Sequence, residues 1–241
     1  MKERHAIASM GSLLADPGRS AMLLALLDGR ALSAGELARA AEVSAQSASG
    51  HLAKLTEGGL VSVKQEGRCR YYKLSGTRVA NALEALGAIS TPLPVSQYRR
   101  GSNGGHVSST SASSHVANDE RMCTARSCYD HLAGRIAVAL AEQMEKDRLI
   151  VPRDGRDYHV TRNGAEWLAK FGIEMEALQK TKRHLARRCL DWTERRPHIS
   201  GALGAALLEY FLHEKWVARC RGTRALQVTE MGTRRFKAML G

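Results

Sequence analysis

Residues 43–75, VSAQSASGHLAKLTEGGLVSVKQEGRCRYYKLS, decide the fold of the first third of this 241-residue chain. A break at Val43-Ser44 starts a helix in which Ala48, Leu52 and Leu55 recur at helical spacing, leaving Gln46, Ser47, Ser49 and His51 on a polar face. Gly58-Gly59 ends that helix. LVSVKQ and CRYYKL then alternate like half-buried strands, with Glu66-Gly67-Arg68 as the hairpin tip between them. Upstream, Ser33 and Glu36 form a capping box ahead of ELARAA. DPGRSAMLLALLDG places Pro17 in the first turn of a helix that Gly29 closes. Two helices, a tight break, a further helix and a basic hairpin make a winged helix-turn-helix.

A single helix fits a major groove, and the side chains near its N-terminus meet the base edges. The expected DNA-contact set is therefore Ser44, Gln46, Ser47, Ser49, His51 and Lys54 on the helix, with Lys64, Arg68 and Arg70 on the wing. Glutamine can bond adenine in bidentate fashion, whereas serine hydroxyls accept base or phosphate with little discrimination. The wing cations suit phosphates or an adjacent minor groove. Charge agrees: 36 Lys+Arg against 24 Asp+Glu give a net +12, and cations that neutralise phosphates drive association by releasing counterions.

The stretch resembles the ArsR (arsenic-repressor-type) group of bacterial transcription regulators. The resemblance lies in the Ser-x-His-Leu of Ser49, His51 and Leu52, the run Gly59-Leu60-Val61, the wing tip Gly67-Arg68, and Tyr71-Tyr72-x-Leu74. It extends over residues 5–90. It implies a homodimer on a pseudo-palindromic operator of double-stranded DNA, repressing until an inducer weakens the DNA-bound form. The chain departs from the group's usual metal sites. ELARAAEVS has no Cys-x-Cys pair, and RVANALEALGAI has no Asp/His pair.

Residues 91–120, rich in serine and glycine with almost no apolar periodicity, read as a flexible linker. They separate a DNA-binding domain, 1–90, from a sensory or dimerisation domain, 121–241. In the second part RLIVPRDGRDYHVT and KWVARCRGTRALQVT repeat the outline of the wing, and Ser75, Thr161 and Thr229 are each placed to cap the following helix. His131-Leu-Ala-Gly134 also matches His198-Ile-Ser-Gly201. The expected fold class is mainly α with small β-hairpins, the C-terminal helical domain being two helix–hairpin–helix, winged-helix-like repeats around one core. Residues 175–196 read as one long basic helix.

Within this domain Cys128 and His131 stand at i, i+3, as do Cys189 and Trp192 ahead of His198, which puts each pair on one helix face. The candidate ligand or sensor set is Arg126, Cys128, His131, Cys189, Trp192, Arg195 and His198. Thiolate with imidazole suits a metal or metalloid ion, while flanking arginines suit a reactive thiol or a small organic anion. The bland alternative is a set of small core residues.

Other classes are excluded or set aside. Five cysteines without CxxC spacing argue against a disulfide framework or a zinc ribbon. The longest apolar run, Ala21 to Leu27, is too short for a bilayer, and Met-Lys-Glu-Arg-His lacks the apolar core of a signal, so a cytoplasmic protein is expected. No phosphate loop, nucleophile elbow or HExxH motif is present, so the chain reads as a regulator and not an enzyme. The alternatives are a constitutive DNA-binding protein without an inducer, or an enzyme with its site in residues 121–241.

Overall fold

Asp16 starts a helix because its carboxylate accepts the Arg19 N–H at 2.8 Å, and Pro17 follows where a missing N–H costs nothing. The computed structural model describes residues 2–89, 120–181, 183–220 and 223–241. In it α1 (Lys2–Leu14) precedes this helix, α2 (Pro17–Leu26). A short β1 (Leu32–Ser33) leads to α3 (Ala34–Ala40), whose Ser33/Glu36 capping box is formed as expected. α4 (Ala45–Glu57) follows, capped by Ser44, and buries Ala48, Leu52 and Leu55. β2 (Val61–Glu66) and β3 (Cys69–Leu74) pair antiparallel around a two-residue turn, and β3 also takes β1. Ser75 donates its N–H to Leu60 and closes the sheet, so α5 (Thr77–Ile89) begins two residues beyond the expected cap. Met22, Leu23, Leu26, Leu37, Leu52, Leu55, Tyr72 and Leu74 fill the core.

The rest of the chain is mixed helix and sheet, which corrects the mainly helical expectation. After a helical segment at 120–124 come β4 (Arg126–Cys128) and β5 (His131–Ala133), then α6 (Arg135–Lys146), β6 (Ile150–Arg153), β7 (Asp157–Val160), α7 (Arg162–Ala169) and α8 (Met175–Gln179). The order then recurs as β8 (Arg187–Leu190), β9 (Pro197–Ser200), α9 (Gly201–His213), β10 (Val217–Arg219), β11 (Leu226–Val228) and α10 (Glu230–Leu240). Each half is thus a strand pair, a helix, a second strand pair and a helix, in place of a helix–hairpin–helix unit, with the short α8 added after the first half. The long helix expected over 175–196 stops at Gln179. Residues 187–190 are a strand because their backbone groups pair on both sides, with β9 and with the β7 edge, and tertiary pairing overrides local propensity.

The halves exchange strands. Tyr158 N donates to Ala186 O and Arg188 N to Arg156 O, while Leu226 N donates to Ala125 O and Ser127 N to Arg224 O. Thr161 and Thr229 cap α7 and α10 by accepting the Gly164 and Gly232 N–H groups, as expected. α6 and α9 bury Leu140, Met144, Leu203, Leu207 and Phe211 in one shared core. Except for Glu120, the linker expected over 91–120 lies outside the described residues.

Candidate nucleic-acid interface and metal centre

The α4 face divides by exposure. Ser44, Gln46, Ser47, Ser49 and Lys54 are exposed, while Ala48, Leu52 and Leu55 face the core. Ser44 accepts the Ser47 N–H and donates its own hydroxyl to Ser47 Oγ, so both hydroxyls are engaged in the cap. His51 is half-buried, with Nδ1 3.7 Å from Asp16 Oδ1 at the start of α2. On the wing Arg68 and Arg70 are exposed, and Lys64 pairs with Glu66 at 2.6 Å.

The second site is buried. β4 and β5 are joined by the tight turn Tyr129-Asp130, which sets Cys128 opposite His131 in the strand register. β8 and β9 set Cys189 opposite His198 in the same way. The pairs therefore share strand hairpins and not helix faces, a correction to the sequence expectation. Crossed pairing of the two halves then brings the hairpins together. Cys128 Sγ lies 3.9 Å from Cys189 Sγ, and His131 Nε2 lies 3.1 Å from His198 Nε2. All four donor atoms fall within 4.8 Å of one another. Around a tetrahedral ion with bonds of about 2.3 Å to sulfur and about 2.0–2.1 Å to nitrogen, two sulfurs stand about 3.8 Å apart and two nitrogens about 3.3 Å. The donor set fits such an ion.

The ring nitrogens turned away from the centre each face a carboxylate. His131 Nδ1 is 3.4 Å from Asp130, and His198 Nδ1 is 3.4 Å from Asp191. A proton on Nδ1 beside a carboxylate leaves Nε2 as the lone-pair nitrogen that a metal needs. Each carboxylate is held in turn, Asp130 by Arg183 at 2.8 Å and Asp191 by Arg126 at 2.9 Å. Asp191 and Arg126 are both fully buried, and Asp191 also accepts from the Gly134 N–H and from Thr193. Burial works to raise the Asp191 pKa, but His198, Arg126, Thr193 and Gly134 hold it well below the usual carboxylate range. Asp130 is likewise lowered, burial being outweighed by His131 and Arg183. Burial pushes the Cys128 thiol well above its ordinary value, and the adjacent Cys189 adds to the effect. An ion would displace that proton as it binds.

Of the seven expected sensor residues, Cys128, His131, Cys189 and His198 converge. Arg126 and Trp192 stand one shell outside, the guanidinium stacked over the indole at 4.7 Å from its centroid. Arg195 is exposed in the loop between β8 and β9 and is not one of the four converging residues. Sequence reading missed Asp130, Asp191 and Arg183. The signal was available in part: Ala125-Arg126-x-Cys128-x-Asp130 repeats as Ala186-Arg187-x-Cys189-x-Asp191.

Residues 14–64 match the helix-turn-helix domain family. Over 234 residues the chain is 41% identical to the uncharacterized HTH-type transcriptional regulator YdfF of Bacillus subtilis, covering 97% of this chain and 96% of that protein. The chain belongs to the HTH-type transcriptional regulators. It is a DNA-binding transcriptional regulator that carries its helix-turn-helix in the N-terminal third of the chain. The HTH-type transcriptional regulator CmtR of Mycobacterium bovis is 41% identical over 81 residues, 34% of this chain and 68% of CmtR. Among solved structures, the cadmium metal-sensor CMTR of Mycobacterium tuberculosis is 34% identical, covering 42% of this chain and 98% of that one with a TM-score of 0.31. Reduced HlyU of Vibrio cholerae is 35% identical, covering 35% and 88% with a TM-score of 0.33. Among the described residues no helix is long and apolar enough to cross a membrane.

Proposed function

We propose that this protein is a cytoplasmic homodimeric repressor. In this reading α4 and the β2–β3 wing bind a pseudo-palindromic operator, and a metal ion at Cys128, His131, Cys189 and His198 releases it. On the DNA side, Gln46 and Ser49 supply base-edge contacts, Ser44, Ser47 and Lys54 face the backbone, and Arg68 and Arg70 reach phosphates or the minor groove. Their exposure supports these roles. His51 supports α2 from its half-buried position beside Asp16.

One observation carries the sensing half of the reading: two thiols and two imidazoles, from segments some sixty residues apart, converge within 4.8 Å. Two soft sulfurs with two imidazole nitrogens match a divalent ion of the zinc type better than a trivalent metalloid seeking three thiolates. Four protein donors close the coordination sphere, so the ion would hold the two halves of the domain together and would not perform catalysis. The resemblance of residues 5–90 to ArsR-type regulators, which implies repression until an inducer weakens the DNA-bound form, supports the direction of the response.

Footprinting of the full chain on a duplex selected from a random-sequence library, with Zn2+ or with chelator, tests this function. A short two-fold-symmetric footprint is expected, with binding weakened tenfold or more by one equivalent of Zn2+, a range usual for allosteric coupling of about 1–3 kcal/mol. Equal affinity for random duplexes at physiological salt would remove the operator reading. Equal operator affinity with and without bound Zn2+ would remove the sensing reading.

A further inference from the structure

The two residues that flank the Cys128 ligand both bond to the DNA-binding module. Ser127 Oγ donates to Asp28 Oδ1 at 2.5 Å, and Tyr129 N donates to Leu27 O at 2.5 Å. Leu27 is the C-cap of α2 and Asp28 follows it, and α2 packs on α3 and α4. The approach is close enough that any side chain at Gly29 would strike the Tyr129 carbonyl. Asp28 is 4% exposed, and its carboxylate also receives Arg30 and, at 2.6 Å, Arg219 from β10.

A second buried pair lies on the other side of the same strand. Arg224, whose carbonyl accepts the Ser127 N–H, bonds Glu84 of α5 at 2.7 Å, and its Nη1 is also 3.4 Å from Ser127 O. Glu84 is 3% exposed, and its other oxygen, Oε2, is buried without a partner. Removing one partner from a buried ion pair is costly, so a displacement of β4 that parted these pairs would be opposed. The strand bearing the first ligand is therefore fixed at both of that ligand's neighbours to the helix that braces α4.

We propose that Asp28 with Ser127 and Arg219, together with Glu84 and Arg224, form the latch through which ion binding at Cys128 reaches the DNA-reading helix. The proposal rests on the metal-sensing reading above and assigns its route. Ion ligation by Cys128 sets the position of Ser127 and Tyr129. Loss of the ion lets β4 shift, and the shift moves both donors relative to Leu27 and Asp28. The bias is carried into α2 and hence into α4. By linkage, operator DNA alters Zn2+ affinity by the same factor as Zn2+ alters operator affinity.

The test measures operator affinity of the full chain with Zn2+ and with chelator, alongside Zn2+ stoichiometry, for the wild type, Asp28→Asn, Ser127→Ala and Arg219→Gln. A wild-type ratio of about tenfold is expected to fall to about twofold or less in the variants while one Zn2+ per chain is retained. Variants that bind one Zn2+ and keep the wild-type ratio would overturn the latch and leave metal sensing intact. A wild type whose ratio is already one would overturn metal sensing, and the latch with it. Arg219 is one-third exposed, so Arg219→Gln keeps the test available if Asp28→Asn fails to fold.

Discussion

The proposed DNA-reading face and the candidate metal centre are built in opposite ways. The groove face of α4 and the wing come from one continuous stretch, residues 44–72, and their polar side chains remain in water. The metal centre comes from two hairpins, with Cys128 paired to His131 and Cys189 to His198, and its four side chains are mostly or wholly withdrawn from solvent. A surface that must meet a long polyanion can be made by local structure alone. A site that must hold its donors without water needs the whole domain to close around it, with a carboxylate behind each imidazole and an arginine behind each carboxylate.

That contrast implies a ranking of mutational costs. The largest is expected at Asp191→Ala, which leaves the fully buried Arg126 without its carboxylate and strips the acceptor from Gly134 N. Urea unfolding should show a loss of about 3–5 kcal/mol, the usual result of removing one partner of a buried ion pair. A loss below about 1 kcal/mol would mean that Arg126 finds water and that the centre is not a dry, closed site. Next comes Asp130→Asn, which removes the charge behind His131. Zn2+ affinity, measured in competition with a chromophoric chelator, should weaken about 10- to 100-fold, as is usual for second-layer partners of metal-bound histidines.

On the exposed side the effects are smaller and of a different kind. Arg68→Ala should lower affinity for every duplex alike and reduce the slope of log K against log salt by about one. Lys64→Ala should change that slope less, because Lys64 is already paired with Glu66. An equal or larger change at Lys64 would place the wing in another orientation on the duplex. The smallest effect is expected at Asp16→Ala, which removes the α2 cap and costs about 0.5–2 kcal/mol. The Asp16 carboxyl is held below its ordinary value first by the Arg19 N–H. Its contribution is therefore full above the unfolded carboxyl pKa of about 3.9 and is lost as the pH falls through the folded value. The stability difference between wild type and Asp16→Ala should accordingly vanish in acid; a difference that persists there would reflect packing and not the cap.

The same contrast explains what could be read from the sequence. The winged helix was legible because its signals are local: the Ser33/Glu36 box, the Ala48/Leu52/Leu55 stripe, and two alternating strands around Gly67. The four side chains that converge were legible as residue types, since Cys128, His131, Cys189 and His198 all stood among the candidates. Their secondary structure was not. At i, i+3 spacing a helix turn and a two-residue hairpin put the same two residues together, and the hairpin won because β4 finds Arg224 and Ala225 and β8 finds β7 and β9. Such partners lie far along the chain and leave no local mark. The helix expected over 175–196 failed for the same reason, residues 187–190 being drawn into the sheet between β7 and β9.

X-ray absorption at the zinc edge of the full chain loaded with one equivalent of Zn2+ tests the central claim most directly. The crossed hairpins require a shell of two sulfurs at about 2.3 Å and two imidazole nitrogens at about 2.0–2.1 Å, with both sulfurs lost in the Cys128→Ser, Cys189→Ser double variant. A shell of oxygen and nitrogen alone, or one unchanged by the double substitution, would contradict it.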